Sequence, residues 1–126
     1  MNGEYFKTVF ITKESTVLPA ASFAILTASN PMDKLLGENE NKLRNEALRT
    51  LLEEEEVDFS ELIGTSPDRT HQEVSFAVSC TLDNALEWAN CFEQRAIFWV
   101  KDDHLQIIAC QSSEKYDLGS FDERLS

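Results

Sequence analysis

The hydrophobic residues of the chain follow two kinds of pattern, and the first predicts β-strands. Short segments rich in β-branched and aromatic residues, several of them apolar at every second position, lie between turn-forming residues. They lie at residues 5–12, 22–29, 57–63, 73–80, 96–100 and 105–110. Segment 22–29 is apolar on both alternating faces, which predicts a central strand. It ends at Asn30-Pro31 because proline cannot donate a hydrogen bond to a sheet.

The second pattern has helical spacing and predicts two amphipathic α-helices, over about residues 38–55 and 82–94. Thr81 is a good N-cap for the second helix. The four glutamates at 53–56 oppose the dipole at the end of the first helix, where cations are preferred. We therefore expect the first helix to fray or to turn sharply there.

The order of these elements predicts an α+β fold. Strands separated by two helices indicate a mostly antiparallel sheet of about five to six strands with two helices on one face, ferredoxin-like with extra strands. Residues 1–126 are expected to form a single domain, and 111–126 to form a flexible tail or to dock as a short helix.

The predicted sheet is apolar on both faces. In strand 96–100, Ile97 and Trp99 point to one side and Phe98 to the other. Helices on one face would leave the opposite face open to solvent. Either the tail around Tyr116 and Phe121 or a second copy of the protein would have to cover it.

The charge of the chain narrows the choice of partners. It has 23 acidic and 11 basic residues, a formal net charge of −12. Such a chain repels nucleic acid and anionic membranes, and it suits a basic protein partner. The three cysteines lack zinc-site spacing, and the chain has neither a stretch long enough to span a membrane nor a signal-peptide pattern. We expect a cytoplasmic protein without a metal or cofactor.

Arg44 lies within the hydrophobic face of the first predicted helix. At about 100° per residue, it falls near the middle of an apolar arc of roughly 180°, formed by Leu43, Ala47, Leu48, Leu51 and Leu52. A guanidinium there must reach water or find acceptors, because an unpaired charge is costly to bury. The expected partners are Glu40, four residues earlier, and the Asn30 side chain and carbonyls at the end of the central strand.

Asn41 and Asn45 flank Arg44 on the helix, and two interpretations of this group stay open. With Asn30, these residues either form a polar pocket that holds an anion such as a carboxylate or a phosphate, or they form a structural network that pins the helix to the sheet. Hydrogen-bonded networks where a helix meets a strand commonly have only the structural role.

Four short segments also carry a family resemblance: TASNP at 27–31, NKLRNEAL at 41–48, EVSFAV at 73–78 and FEQRAIFWV at 92–100. In order and spacing they resemble a bacterial family known only as domain of unknown function 3293. The resemblance covers about residues 20–110 and implies a small α+β domain with no established activity, cofactor or catalytic residue. The polar positions inside these segments are our candidate ligand-binding residues: Asn30, Asn41, Arg44, Asn45, Glu73 and Gln94.

Glu73 is the one candidate general base among these residues, but strand alternation sets it opposite Phe76. If Phe76 faces the helices, Glu73 points to the other side of the sheet and away from Arg44. This geometry argues against a single catalytic Arg-Glu pair. The chain also lacks the common phosphate-loop, dinucleotide-binding, zinc-protease and serine-hydrolase motifs.

Two functional hypotheses follow. The first is a small, acidic, non-catalytic binding module that either dimerises through an open sheet face or binds a basic protein. The second is a small enzyme or ligand sensor that receives an anionic small molecule at Asn30, Asn41, Arg44 and Asn45. The sequence does not decide whether the protein is an enzyme.

Overall fold

The computed structural model describes residues 3–19 and 21–126. The two α-helices are α1 (Glu38–Glu54) and α2 (Leu82–Cys91). The strands are β1 (Val9–Thr12), β2 (Ser22–Leu26), β3 (Phe59–Thr65), β4 (Gln72–Val78), β5 (Ala96–Lys101), β6 (His104–Ala109) and β7 (Lys115–Ser120). Short 3-10 helices lie at Gly3–Lys7, Pro31–Asp33 and Asp122–Arg124.

Local signals in the sequence set the helix ends. The Thr81 hydroxyl accepts a hydrogen bond from the backbone N–H of Asn84 at 3.2 Å, which is the predicted N-cap of α2. After α1, Glu56 adopts a φ of 57°, and the backbone N–H of Val57 donates to the carbonyl of Leu52. The chain therefore turns sharply where the acidic run predicted it.

The strands form one antiparallel sheet in the order β1-β3-β4-β2-β5-β6-β7. The helix α1 connects β2 to β3, and α2 connects β4 to β5, so each helix links two strands that have one other strand between them. Side chains of both helices pack against the same face of the sheet, in a core that includes Leu48, Leu52, Phe76 and Trp88. An α+β fold with both helices on one face is confirmed.

The predicted number of strands was wrong, because the sheet has seven. The additional strand is β7, which lies in the segment expected to be a tail and pairs with β6 at the edge of the sheet. Its burial alternates between exposed and partly buried residues, so it needs few large apolar side chains. The first segment also differs, since residues 5–7 belong to a 3-10 helix and only Val9–Thr12 pair in the sheet.

The sheet is curled like half a barrel, and its second face has a core of its own. The C-terminal segment completes this core through Phe121, which is buried. The Phe121 ring lies 5.5 Å from the ring of Phe10 and 5.4 Å from that of Phe23, measured between centroids. The segment after β6 thus covers the face that the helices leave free. Neither α-helix of the described chain combines the length and hydrophobicity that crossing a membrane would require.

Candidate functional site

The candidate residues meet where the chain leaves the central strand β2. Residues 27–31 run from β2 into a tight turn, in which Asn30 adopts a left-handed conformation with φ of 47° and ψ of 68°. Asparagine tolerates this region better than most residues do. Met32 and Asp33 also have positive φ values, of 48° and 63°. Such a turn persists only when its surroundings hold it in place.

Asn30 is the centre of the hydrogen bonds that hold this turn. Its side-chain oxygen accepts from the Leu36 backbone N–H at 2.9 Å and from Asn41 Nδ2 at 2.8 Å. In return, Asn41 Oδ1 accepts from the Asn30 backbone N–H at 2.9 Å. Asn30 Nδ2 donates to Glu73 Oε2 at 2.8 Å. One side chain therefore ties the turn to the start of α1 and to β4.

Asn45 fixes the residues just before the turn. It is buried, its Oδ1 accepts from the Ala28 backbone N–H at 2.8 Å, and its Nδ2 donates to Ser29 Oγ at 2.8 Å. Gln94 is also buried, and its Nε2 donates to the backbone carbonyls of Ser29 at 3.0 Å and Phe92 at 3.1 Å. These two amides satisfy backbone groups that a buried turn would otherwise leave unpaired.

Arg44 joins the turn to the segment after α2. Its Nε donates to the Ala28 carbonyl at 2.6 Å, and its Nη2 donates to the Phe92 carbonyl at 2.5 Å. The first bond confirms the expected partner at the end of the central strand. Its carboxylate partner is Glu93, with Nη1 and Oε1 3.6 Å apart, whereas the sequence favoured Glu40. The guanidinium is therefore already engaged by two carbonyls and one carboxylate.

The buried face of α1 differs from the predicted arc. Asn45, Leu48 and Leu52 are buried, whereas Leu43 is 67% exposed and Ala47 is exposed. The helix is rotated so that Asn45 faces the turn, and Arg44 reaches the turn from the side. The position of Arg44 in the middle of the apolar face was wrong, because the buried side of the helix is formed by Asn45, Leu48 and Leu52, and Asn45 can be buried there since it finds hydrogen-bond partners at the turn.

We call Asn30, Asn41, Arg44, Asn45 and Gln94 the polar clamp. Each of them binds the turn or a segment next to it. Glu73, the sixth candidate, touches the clamp through Asn30 and lies on the opposite face of the sheet from Phe76, as strand alternation predicted. Glu73 and Arg44 do not form a pair in the described part of the chain.

Glu73 differs from the clamp residues in its electrostatics. Burial raises the pKa of its carboxyl group above the ordinary value, and the nearby Asp33 adds to this effect, although the hydrogen bond from Asn30 opposes it. Its Oε2 holds the Asn30 amide, while Oε1 accepts no hydrogen bond from any residue in 3–19 or 21–126. Glu73 therefore retains one carboxylate oxygen that can bind something else.

We expect the pH dependence of stability to report the raised pKa of Glu73. The folded protein binds this proton more tightly than the unfolded chain, so protonation favours the fold. That contribution is present below the unfolded pKa of about 4.3 and is lost as pH rises through the folded pKa. Urea unfolding should show that wild type gains stability relative to Glu73→Gln as the pH falls from the folded pKa of Glu73 to its unfolded pKa. A stability difference that does not vary with pH would contradict the expectation.

A second polar group near Glu73 was not found from the sequence. The Tyr5 hydroxyl donates to Asp33 Oδ1 at 2.8 Å, and Asp33 Oδ2 lies 3.0 Å from Arg95 Nε. Burial, the bond to Asp33 and the charges of Asp33 and Glu73 raise the pKa of Tyr5, so its phenol stays protonated. Residues 5 and 33 are far apart in the sequence and fall in different predicted elements, so no local pattern links them.

Two further features of the described residues concern the Cys80 and Cys110 thiols and the possible metal ligands. Burial raises the pKa of the Cys80 and Cys110 thiols to about 11, which keeps both protonated at neutral pH. Within residues 3–19 and 21–126, no group of three or more His, Cys, Asp or Glu side chains is arranged to hold a metal ion.

The fold and the clamp together define a small α+β domain with a polar network around one strained turn. The chain belongs to the family described as "Protein of unknown function (DUF3293)", whose sequence profile matches residues 26–97. The matched region contains all six candidate residues, and the match confirms the family resemblance seen in the sequence. No curated protein and no solved structure matches the chain.

Proposed function

We propose that this protein is a non-catalytic, cytoplasmic binding module that recognises a basic protein partner through the outer face of α1. The observation that supports the proposal is the uneven pairing of charges. Arg49 and Lys13 both pair with Glu61, Arg44 pairs with Glu93, and Arg95 pairs with Asp33. In contrast, the acidic residues on the outer face of α1 form no ion pair within the described chain: Glu38, Glu40, Glu46, Glu53 and Glu54.

The same helix face also offers a point of apolar contact. Leu43 is 67% exposed in the middle of α1, and Leu35, in the loop before it, is 75% exposed. Exposed leucines flanked by carboxylates suit a segment that combines basic and apolar side chains. Lys42 is the exposed cation on this part of the helix, and it offsets only part of the negative charge.

The alternative, an enzyme or sensor that binds an anionic small molecule at the polar clamp, has less support. The Nε and Nη2 atoms of Arg44 already donate to backbone carbonyls, and Nη1 lies near Glu93. An anion would have to displace these partners, which would take the Arg44 donor from the Ala28 carbonyl and leave the Phe92 carbonyl with Gln94 alone. It would also approach a chain of net charge −12.

Two related inferences concern the fold and the assembly. The unit from β2 to β5 has the order β-α-β-β-α-β and the spatial order β3-β4-β2-β5, which supports a ferredoxin-like core extended at both edges. A second copy of the chain remains an alternative partner. Because Phe121 fills the second face of the sheet, a dimer would use another surface.

The experiment compares two triple variants of equal charge. We would measure the binding of an oligolysine peptide by fluorescence anisotropy, at low and at physiological salt. Replacing Glu40, Glu53 and Glu54 with glutamine should weaken binding roughly tenfold at low salt, since each exposed charge contributes up to about 1 kcal/mol. The matched control replaces Glu87, Glu114 and Glu123, which are exposed elsewhere on the described chain.

The outcomes distinguish binding at the outer face of α1 from attraction by the net charge of the protein. The proposal requires the α1 variant to lose more affinity than the control variant, and it requires the difference to shrink as salt rises. Equal losses in the two variants would mean that net charge alone attracts the peptide, and the outer face of α1 would then have no special role. Circular dichroism checks that both variants remain folded.

A further inference from the structure

A second candidate site lies where the turn after β2 meets the face of the sheet that carries Glu73. An open groove of about 1260 Å³ runs past the polar clamp to this point. Small ligands fill pockets of about 300–1,000 Å³, so one ligand would occupy only part of the groove. We call the part around the free carboxylate oxygen the Glu73 pocket; it is lined by Tyr5, Thr27, Glu73, Ser75 and Phe98.

The Glu73 carboxylate in this pocket is held in place through one of its two oxygens. Asn30 Nδ2 binds Oε2 at 2.8 Å, and Asn30 is itself fixed by Asn41 and Leu36. The Oε1 atom accepts no hydrogen bond from the residues that the structure describes. A partly desolvated carboxylate gains more from a positive ligand than an exposed one does, because less water screens the pair.

The walls of the pocket are suited to an apolar stem. The Tyr5 and Phe98 rings lie 6.3 Å apart between centroids, on the same face as Glu73. The Tyr5 hydroxyl donates to Asp33 Oδ1 at 2.8 Å, so this donor is already occupied. The Thr27 and Ser75 hydroxyls donate to the carbonyls of Val74 and Glu73. A ligand with a cationic head and a short hydrocarbon body matches this combination of carboxylate, aromatic rings and occupied hydroxyl donors.

The free oxygen also selects among cations. A guanidinium binds a carboxylate best through two parallel hydrogen bonds, which need both carboxylate oxygens. Here Oε2 is occupied by the Asn30 amide, so Oε1 alone remains. An ammonium group is a point charge that can bind a single oxygen. An anion is disfavoured at this position, because the Glu73 carboxylate would repel it.

We propose that the Glu73 pocket binds a primary ammonium group on an apolar stem. The group belongs either to a free aliphatic amine or to a lysine side chain of a bound protein. Glu73 supplies the charge, Asn30 holds the carboxylate in position, and Tyr5 and Phe98 contact the stem. The charged group of this site is Glu73 on β4 and not a carboxylate of α1, and the site requires no reaction.

The test is an NMR titration of the full chain with n-pentylamine, following the side-chain amide of Asn30 and the backbone amide of Glu73. Saturable shifts at both signals are expected. Glu73→Gln should weaken the binding about tenfold or more, while Glu87→Gln, exposed on α2 and outside the groove, should leave it unchanged. Equal binding by wild type and Glu73→Gln, or no saturable shift with wild type, would overturn the proposal.

A second comparison needs only wild type, so it holds even if Glu73→Gln fails to fold. The ammonium of n-pentylamine should bind more tightly than the guanidinium of n-butylguanidine, and stronger binding of the guanidinium would refute the assigned chemistry. A peptide containing one lysine identifies the source of the amine. Tighter binding of the peptide than of n-pentylamine indicates a protein partner, and tighter binding of n-pentylamine indicates a free amine.

The two proposals fail in different ways. The triple variant of α1 should retain n-pentylamine binding, because none of its three glutamates lines the Glu73 pocket. Loss of n-pentylamine binding in Glu73→Gln, with n-pentylamine binding retained by the α1 variant, would support the pocket independently of the α1 surface. Loss of amine binding in the α1 variant would instead show that the amine is held by surface charge, which would refute the pocket.

Discussion

Replacing Arg44 with methionine should lower the free energy of unfolding by about 3 kcal/mol, since hydrogen bonds from a charged group are worth about 1.5–3 kcal/mol each. Arg44 donates to the Ala28 and Phe92 carbonyls, and methionine would leave both without this donor. Methionine preserves much of the apolar stem of arginine, so the lost free energy of unfolding comes mainly from the hydrogen bonds to the Ala28 and Phe92 carbonyls. Urea unfolding at neutral pH measures the effect.

The matched control for this prediction is Lys42→Met. Lys42 is exposed on the same helix, and its replacement removes one positive charge as Arg44→Met does. We expect a change within about 0.5 kcal/mol for the control, as for most surface substitutions. If Arg44→Met were as stable as Lys42→Met, the guanidinium would not be holding the turn, and an anion-binding role for Arg44 would regain support.

Replacing Phe121 with alanine should lower the free energy of unfolding by about 3–5 kcal/mol, the usual cost of removing a buried aromatic ring. Phe121 is 4% exposed and contacts the rings of Phe10 and Phe23. Its loss would open the second core of the sheet beside the last strand. The same variant tests whether residues 111–126 act as part of the domain or as a flexible tail.

Phe6→Ala is the comparison for this variant, because Phe6 is 37% exposed and contacts Tyr116 edge to face at 5.5 Å. We expect a loss of about 1 kcal/mol, since much of the Phe6 ring remains in water and aromatic pairs add roughly 0.5–1.5 kcal/mol. Hydrogen exchange should show β7 amides losing protection in Phe121→Ala and keeping it in Phe6→Ala. A small effect of Phe121→Ala on both stability and exchange would contradict an integral C-terminal segment.

Variants of the polar clamp will change stability and can mimic a loss of function, because the clamp holds the turn that positions Asn30 against Glu73. Glu73→Gln avoids this difficulty, since glutamine retains an oxygen that can accept from Asn30 Nδ2. Binding experiments should therefore target Glu73 and the α1 carboxylates before the clamp itself.

Much of the candidate site was identifiable from the sequence, but its internal geometry was not. The family resemblance indicated all six residues, and strand alternation correctly separated Glu73 from Arg44. The orientation of α1 was predicted from apolar residues alone, which favoured Leu43. Asn45 is buried because it binds the Ala28 backbone N–H and the Ser29 hydroxyl. Hydrophobic periodicity cannot distinguish such an asparagine from an exposed one, so the burial of Asn45 was missed.

The sequence by itself determined the features that depend on neighbouring residues. Apolar periodicity set the two helices and six of the strands, and Thr81 and the run at 53–56 marked ends that the structure retains. The strand predicted to reach Asn30-Pro31 ends earlier, at Leu26, because the residues that follow it bind the side chains of α1 instead of a neighbouring strand. The retained signals are local, because capping and the helix dipole act within one turn.

Only the tertiary structure decided the features that join distant parts of the chain. The strand β7 was hidden because an edge strand needs little apolar surface, and it forms only where β6 offers free backbone groups. The contact of Tyr5 with Asp33 and the two carbonyls that hold Arg44 likewise depend on segments brought together by the curled sheet. Hydrogen bonds between distant residues leave no periodic pattern in the sequence, so the free oxygen of Glu73 became visible only in the folded chain.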